Sequence, residues 1–145
     1  MRYRLSPWRQ QTSGGHIGRN YVLNAYRQIF PTRAQPVEAT MPMPPFMQMG
    51  RIDIPAAMEE EFNGWYNTAY IPRYLQVPGV LGARRFVAIE GQPKYLTIYD
   101  FARAEVSESA AWQEAHDSNP WSFRVRPHLI FDPGSPGVYR RIYPT

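Results

Sequence analysis

The chain contains no cysteine. Disulfides, thiolate nucleophiles and sulfur-bound metals are therefore excluded. Histidine is scarce: there are three in 145 residues, none spaced as a pair, so a histidine-built metal site is not expected. No apolar run approaches the roughly 20 residues that span a bilayer. No secretory hydrophobic segment follows the first residues either, so a cytoplasmic location without membrane contact is the default expectation. A glycine-rich phosphate loop, a nucleophile elbow with Ser-His-Asp partners and a motif of paired catalytic carboxylates are all missing. Acid is nearly absent from one end. Residues 1–40 hold six arginines against the single acid Glu38, a net of +5, whereas residues 41–145 hold ten basic and eleven acidic residues, a net of −1. The overall charge of +4 and the pI of 9.6 thus belong to the leader. The remaining body lacks the basic face that a nucleic-acid partner requires.

What is present fits one domain with a sizeable core, cut by many loops: 43% hydrophobic residues, 15 prolines and 10 glycines. Residues 1–44 read as a basic leader with an amphipathic helix and a proline-rich linker. The helix is expected from the spacing of Ile17, Tyr21, Val22, Ala25, Tyr26, Ile29 and Phe30, with Pro31 as its stop. The leader is expected to be an appended helix, or a segment ahead of a true start at Met41 or Met43, rather than a targeting peptide.

Residues 45–145 read as the domain. Phe46–Ile54 alternates with period two, with Gly50, Ile52 and Ile54 on one face and Met47, Met49, Arg51 and Asp53 on the other. Arg51 and Asp53 are expected to pair beside a partly polar cavity. A helix follows Pro55, with Glu59, Glu60 and Glu61 in its first turns and an apolar stripe through Met58, Phe62, Trp65, Tyr66 and Ala69. Pro72 is expected to interrupt it, and Pro78-Gly79 to turn the chain. Leu81–Ile89 and Tyr95–Phe101 form a hairpin. Leu96 and Ile98 are expected to pack on helices, leaving Tyr95, Thr97, Tyr99 and Phe101 on the other face. Ser107 is the expected cap of a second helix, Asn119-Pro120 opens a short helical segment, and Val138–Tyr143 is the last strand. This order predicts an α+β fold, a ferredoxin-like βαββαβ sandwich whose bare sheet face is covered by a second copy.

Phe62-Asn63-Gly64-Trp65-Tyr66-Asn67, Ile71-Pro72, Val77-Pro78-Gly79-Val80-Leu81, Ala83-Arg84-Arg85-Phe86, Pro93–Tyr99 and the terminal Val138–Ile142 together resemble the dimeric α+β barrel superfamily. Within it they are most similar to the EthD-like and related small proteins. The resemblance covers residues 45–143. It implies a sheet-to-sheet homodimeric barrel. The superfamily's activities include lactone isomerisation, cofactor-free oxygenation and haem handling, so the fold alone selects none of them. Similar sequences often carry a histidine just ahead of the helix-one proline, where this chain has Tyr70. A phenol with a pKa of about 10 is a poorer base than an imidazole at about 6.5, but it can donate a hydrogen bond to an oxyanion.

Tyr70, His116 and Arg85 are the candidate catalytic residues. His116 precedes Asp117, which could orient it as a general base, although a histidine in a last helical turn also serves as a cap. Arg85 could anchor a substrate carboxylate. Trp65, Tyr66, Tyr95, Tyr99, Arg51 and Asp53 are the candidate binding residues, the aromatics dividing between core and pocket. No cofactor or metal is called for. The expected function is binding of a small apolar or aromatic, sometimes oxygenated, molecule, with proton transfer (isomerase or lyase) or cofactor-free oxygenation. The alternative is a non-catalytic ligand-binding or accessory protein serving a separate oxygenase pathway.

Overall fold

The computed structural model describes residues 24–31, 43–117 and 119–144. Expectations for residues 1–23 and 32–42 lie outside them. Six strands, Ala25–Phe30 (β1), Phe46–Asp53 (β2), Val80–Glu90 (β3), Tyr95–Phe101 (β4), Ile130–Phe131 (β5) and Gly137–Arg140 (β6), form one antiparallel sheet. Its order is β1-β3-β4-β2, with β5 and β6 both pairing along the far edge of β2. The fold is α+β.

The period-two stretches became the strands expected of them: β2 starts at Phe46, and β4 is Tyr95–Phe101. β3 is one residue longer at each end than expected. The leader differs. Ala25–Phe30 is a strand, with Tyr26 opposite Ala88 and Gln28 opposite Phe86, and not the end of a helix. Its six residues are compatible with either period, and the exposed edge of β3 offers backbone partners that an isolated helix would not satisfy. The last strand is shorter than expected and ends at Arg140.

The helices are Glu59–Trp65 (α1), Ile71–Tyr74 (α2), Ala110–Asp117 (α3) and Ser122–Val125 (α4). Between α1 and α2, Tyr66–Tyr70 forms a π turn in which the Ile71 N–H reaches back to the Tyr66 carbonyl. Pro72 gives the reason: it offers no N–H to the carbonyl of Thr68, and its ring crowds that carbonyl, so the helix widens just before it. The expected interruption at Pro72 is thus a bulge, and the chain continues through it into α2. The cap of α3 is Ser109, whose Oγ accepts from the Trp112 N–H at 3.2 Å, and not Ser107, which lies in a preceding 3-10 turn. Pro78-Gly79 turns as expected, with Gly79 at φ +91° and Val106 Cγ2 2.7 Å from where a Cβ would stand.

The sidedness of the sheet reverses one expectation. Tyr95, Tyr99 and Phe101 pack against the helices: Tyr95 meets Phe62, Tyr99 meets Tyr74 and Trp112, and Phe101 meets Trp112. Leu96 and Ile98 are buried on the opposite face, outside the cluster that unites helices and sheet. Both faces of β4 are apolar, and tyrosine rings outweigh two aliphatic side chains in the area they bury. On that opposite face Leu96 stands between Arg51 and Phe86, and Ile98 between Met49 and Arg84. Arg51 does not pair with Asp53. It pairs with Asp132 at 2.5 Å, while Asp53 accepts the Lys94 N–H at 2.7 Å. Like-face neighbours two apart on one strand are separated by a full pleat, and the β5–β6 turn brings a closer carboxylate.

Candidate functional site

Residues 66, 70 and 74 are tyrosines at four-residue spacing along the bulged helix, and the π turn sits between the first two. Their rings meet edge to face, at 5.2 Å for Tyr66–Tyr70 and 4.6 Å for Tyr70–Tyr74. The hydroxyls of Tyr70 and Tyr74 are 3.0 Å apart and share one hydrogen bond. That bond uses one of the two O–H protons, so the pair keeps one to donate. Tyr74 also lies on Trp112, with centroids 4.0 Å apart.

These rings wall a cavity of about 320 Å³ between the helices and the sheet. Its other lining comes from Gln48, Gly50, Ile52, Thr97 and Tyr99 on the strands, Trp112 and His116 on α3, and Phe131, Pro136 and Val138 at the β5–β6 edge. A second cavity of about 360 Å³ adjoins α4 and is lined by Ser122, Phe123, Arg126 and Leu129. Tyr66, Tyr70, His116 and Phe131 line both. This volume suits a small ring-sized molecule, at the lower end of ligand pockets.

His116 Nδ1 is 2.7 Å from Asp117 Oδ1. A carboxylate only accepts, so Nδ1 donates and Nε2 is the bare nitrogen of the neutral ring, able to take a proton. The hydrogen bond from His116 holds the Asp117 carboxyl below its ordinary range, with the Arg126 guanidinium adding to the effect. The four phenols behave oppositely. Burial pushes Tyr66, Tyr70, Tyr74 and Tyr99 above the ordinary phenol value, and neighbouring phenols add to it. They are neutral donors at any physiological pH, so Tyr70 is excluded as a base and fits the role of hydrogen-bond donor.

Arg85 is fully buried and does not line the cavity. Its guanidinium lies 4.4 Å from the ring centre of Tyr66, donates to Asn67 Oδ1 at 2.7 Å and to Asn63 Oδ1 at 2.9 Å. Asn63 in turn donates to Tyr95 Oη at 3.0 Å, and Tyr95 donates to Glu59 Oε1 at 2.5 Å. Glu59 also pairs with Lys94, which is the main reason its carboxyl is held low. This chain links a surface ion pair to the buried cation. Asn63 and Asn67, spaced four apart on the helical run, are what let a charge enter this core.

The structure therefore brings together Tyr66, Tyr70, Tyr99 and His116 around one cavity. Arg85 stands behind Tyr66. Trp65 is core: its indole N–H donates to Ser122 Oγ at 3.0 Å, and it is fully buried. Tyr95 belongs to the Glu59–Asn63 chain, while Arg51 and Asp53 lie on the opposite sheet face. Gln48 and Trp112 are cavity residues that the sequence reading did not assign to the site. The i, i+4, i+8 run of tyrosines was the available signal for Tyr74, and Thr97 was legible as the residue between Tyr95 and Tyr99 on one strand face. Among the described residues no group of three or more His, Asp or Glu side chains gathers as a metal site, and no helix is long and apolar enough to cross a membrane. No family model and no curated protein sequence matches the chain, so the chemistry of the site is read from its geometry.

Proposed function

We propose that the protein binds a small, largely apolar, oxygenated ring in the cavity between helices and sheet, and moves a proton on it. His116 takes the proton and the neutral phenols of the Tyr70–Tyr74 pair and Tyr99 steady the oxygen on which charge develops. The observation that carries this reading is the shared cavity wall: an imidazole oriented by Asp117 faces the same space as phenols that burial keeps protonated. A base and neutral donors around one cavity of mixed polar and apolar lining suit removal of a proton next to a carbonyl, the opening step of isomerase and lyase reactions and of cofactor-free oxygenation alike.

The test is exchange. Small cyclic ketones and lactones incubated with the protein in deuterium oxide are expected to lose their α-proton signals, and His116→Gln should slow this by about 10²–10⁴-fold. No exchange above buffer for any member of the panel, with binding retained by a Tyr70→Phe/His116→Gln double variant, would instead support a non-catalytic ligand carrier.

The same reading extends to the assembly. Strands β2, β3, β4 and β6, with α1 and α3 placed after β2 and β4, follow a ferredoxin-like βαββαβ order. The face that carries half-buried Met49 and Phe86 over buried Leu96 and Ile98 is the one that the resemblance to dimeric α+β barrels assigns to a second copy. Sedimentation should give a dimer mass at micromolar concentration, and a monomer there counts against the barrel.

A further inference from the structure

We propose that Thr97 and Tyr99, with the buried charge of Arg85 behind them, form an oxyanion seat, so that the cavity takes its ligand with one ring oxygen ionised, as a phenolate or the equivalent enolate. This rests on the reading of the cavity as a ligand site. Three buried polar atoms on this side of the sheet are left short of hydrogen-bond partners among the described residues: Arg85 Nε, Tyr99 Oη and Thr97 Oγ1, the last standing beside the Tyr66 hydroxyl. Their residues are 0%, 5% and 2% exposed. Such atoms cost stability unless something completes them, and all three can donate. Thr97 and Tyr99 line the cavity. In register, Arg85 stands opposite Thr97, and Thr97 opposite Gly50, which leaves the floor beside the threonine without a side chain.

Charge selects the ionised form. No carboxylate among the described residues touches Arg85; Glu59 is reached only through Asn63 and Tyr95. A neutral ligand would leave that buried cation without a near counter-charge, whereas an oxyanion beside Thr97 supplies one. The flat walls of Tyr74 and Trp112 suit a ring.

The probe is 4-nitrophenol, coloured when ionised, titrated with pH in the presence of the full-length protein. Bound probe is expected to ionise about one pH unit or more below the free probe, and Arg85→Met should move that value back by a similar amount. Tyr99→Phe should weaken phenolate binding about tenfold or more. Should Arg85→Met not fold, the wild-type shift and Tyr99→Phe decide the matter. A probe that binds with an unchanged or raised ionisation point overturns the oxyanion seat while leaving the ligand site standing. Failure of 4-nitrophenol, phenol and cyclohexanone all to bind overturns both.

Discussion

Raising the pH from about 9 to about 13 is expected to unfold the protein in one cooperative step, with ionisation of the buried phenols and loss of helical circular dichroism occurring together. Tyr66, Tyr70, Tyr74 and Tyr99 are 4%, 9%, 1% and 5% exposed, and burial raises each of them above the ordinary value of 10.0. The sign follows from proton binding. Below the unfolded value all four are protonated in both states, and their contribution is fully present. Above it the unfolded chain sheds protons that the folded chain keeps, so stability is lost as the pH rises. Each such group removes about 1.4 kcal/mol per pH unit, and four remove about 5.5 kcal/mol per unit. A domain with about 5–15 kcal/mol to lose is then exhausted one to three units above pH 10. Ionisation of all ten tyrosines near pH 10 with the fold intact would contradict the description of the cluster.

Arg85→Ala should cost about 3–5 kcal/mol, much of what a domain of this size has. The substitution opens a void under Tyr66 and strands the half-buried side-chain oxygens of Asn63 and Asn67. Arg85→Met keeps most of the volume and removes a desolvated charge, so it should cost less, about 1–3 kcal/mol from the two unpaired amides. Chemical denaturation of the pair measures the difference. Equal losses would mean that hydrogen bonding rather than packing holds the arginine, and a loss under about 1 kcal/mol in Arg85→Ala would mean that it is not held at all.

Much of this architecture was legible because its signals are local. The alternation of Phe46–Ile54 and Tyr95–Phe101, the acids ahead of Phe62 and the turn at Pro78-Gly79 each depend on a few neighbouring residues. The errors arose where the deciding contact is remote. Ala25–Phe30 has helical spacing on paper, but its partners are Arg85 to Glu90, far along the chain. Periodicity sorted Tyr95, Thr97 and Tyr99 onto one face of β4 but could not say which face the helices would choose, since Leu96 and Ile98 make the other equally apolar. His116 and Tyr70 were singled out separately. That they share one cavity depends on how α3 and the bulged helix cross the sheet. The role of Arg85 was the least legible, because its partners Asn63 and Asn67 read as ordinary polar residues until the helix faces them toward β3.

The most direct test is a crystal structure of the protein soaked with small cyclic ketones, lactones and phenols. The account predicts one ring in the cavity beneath Tyr74 and Trp112, with its oxygen within hydrogen-bond distance of Tyr99 Oη or Thr97 Oγ1 and an edge toward His116. Ring density confined to the Leu96–Ile98 face, or a cavity that stays empty of every compound at saturating concentration, would contradict it.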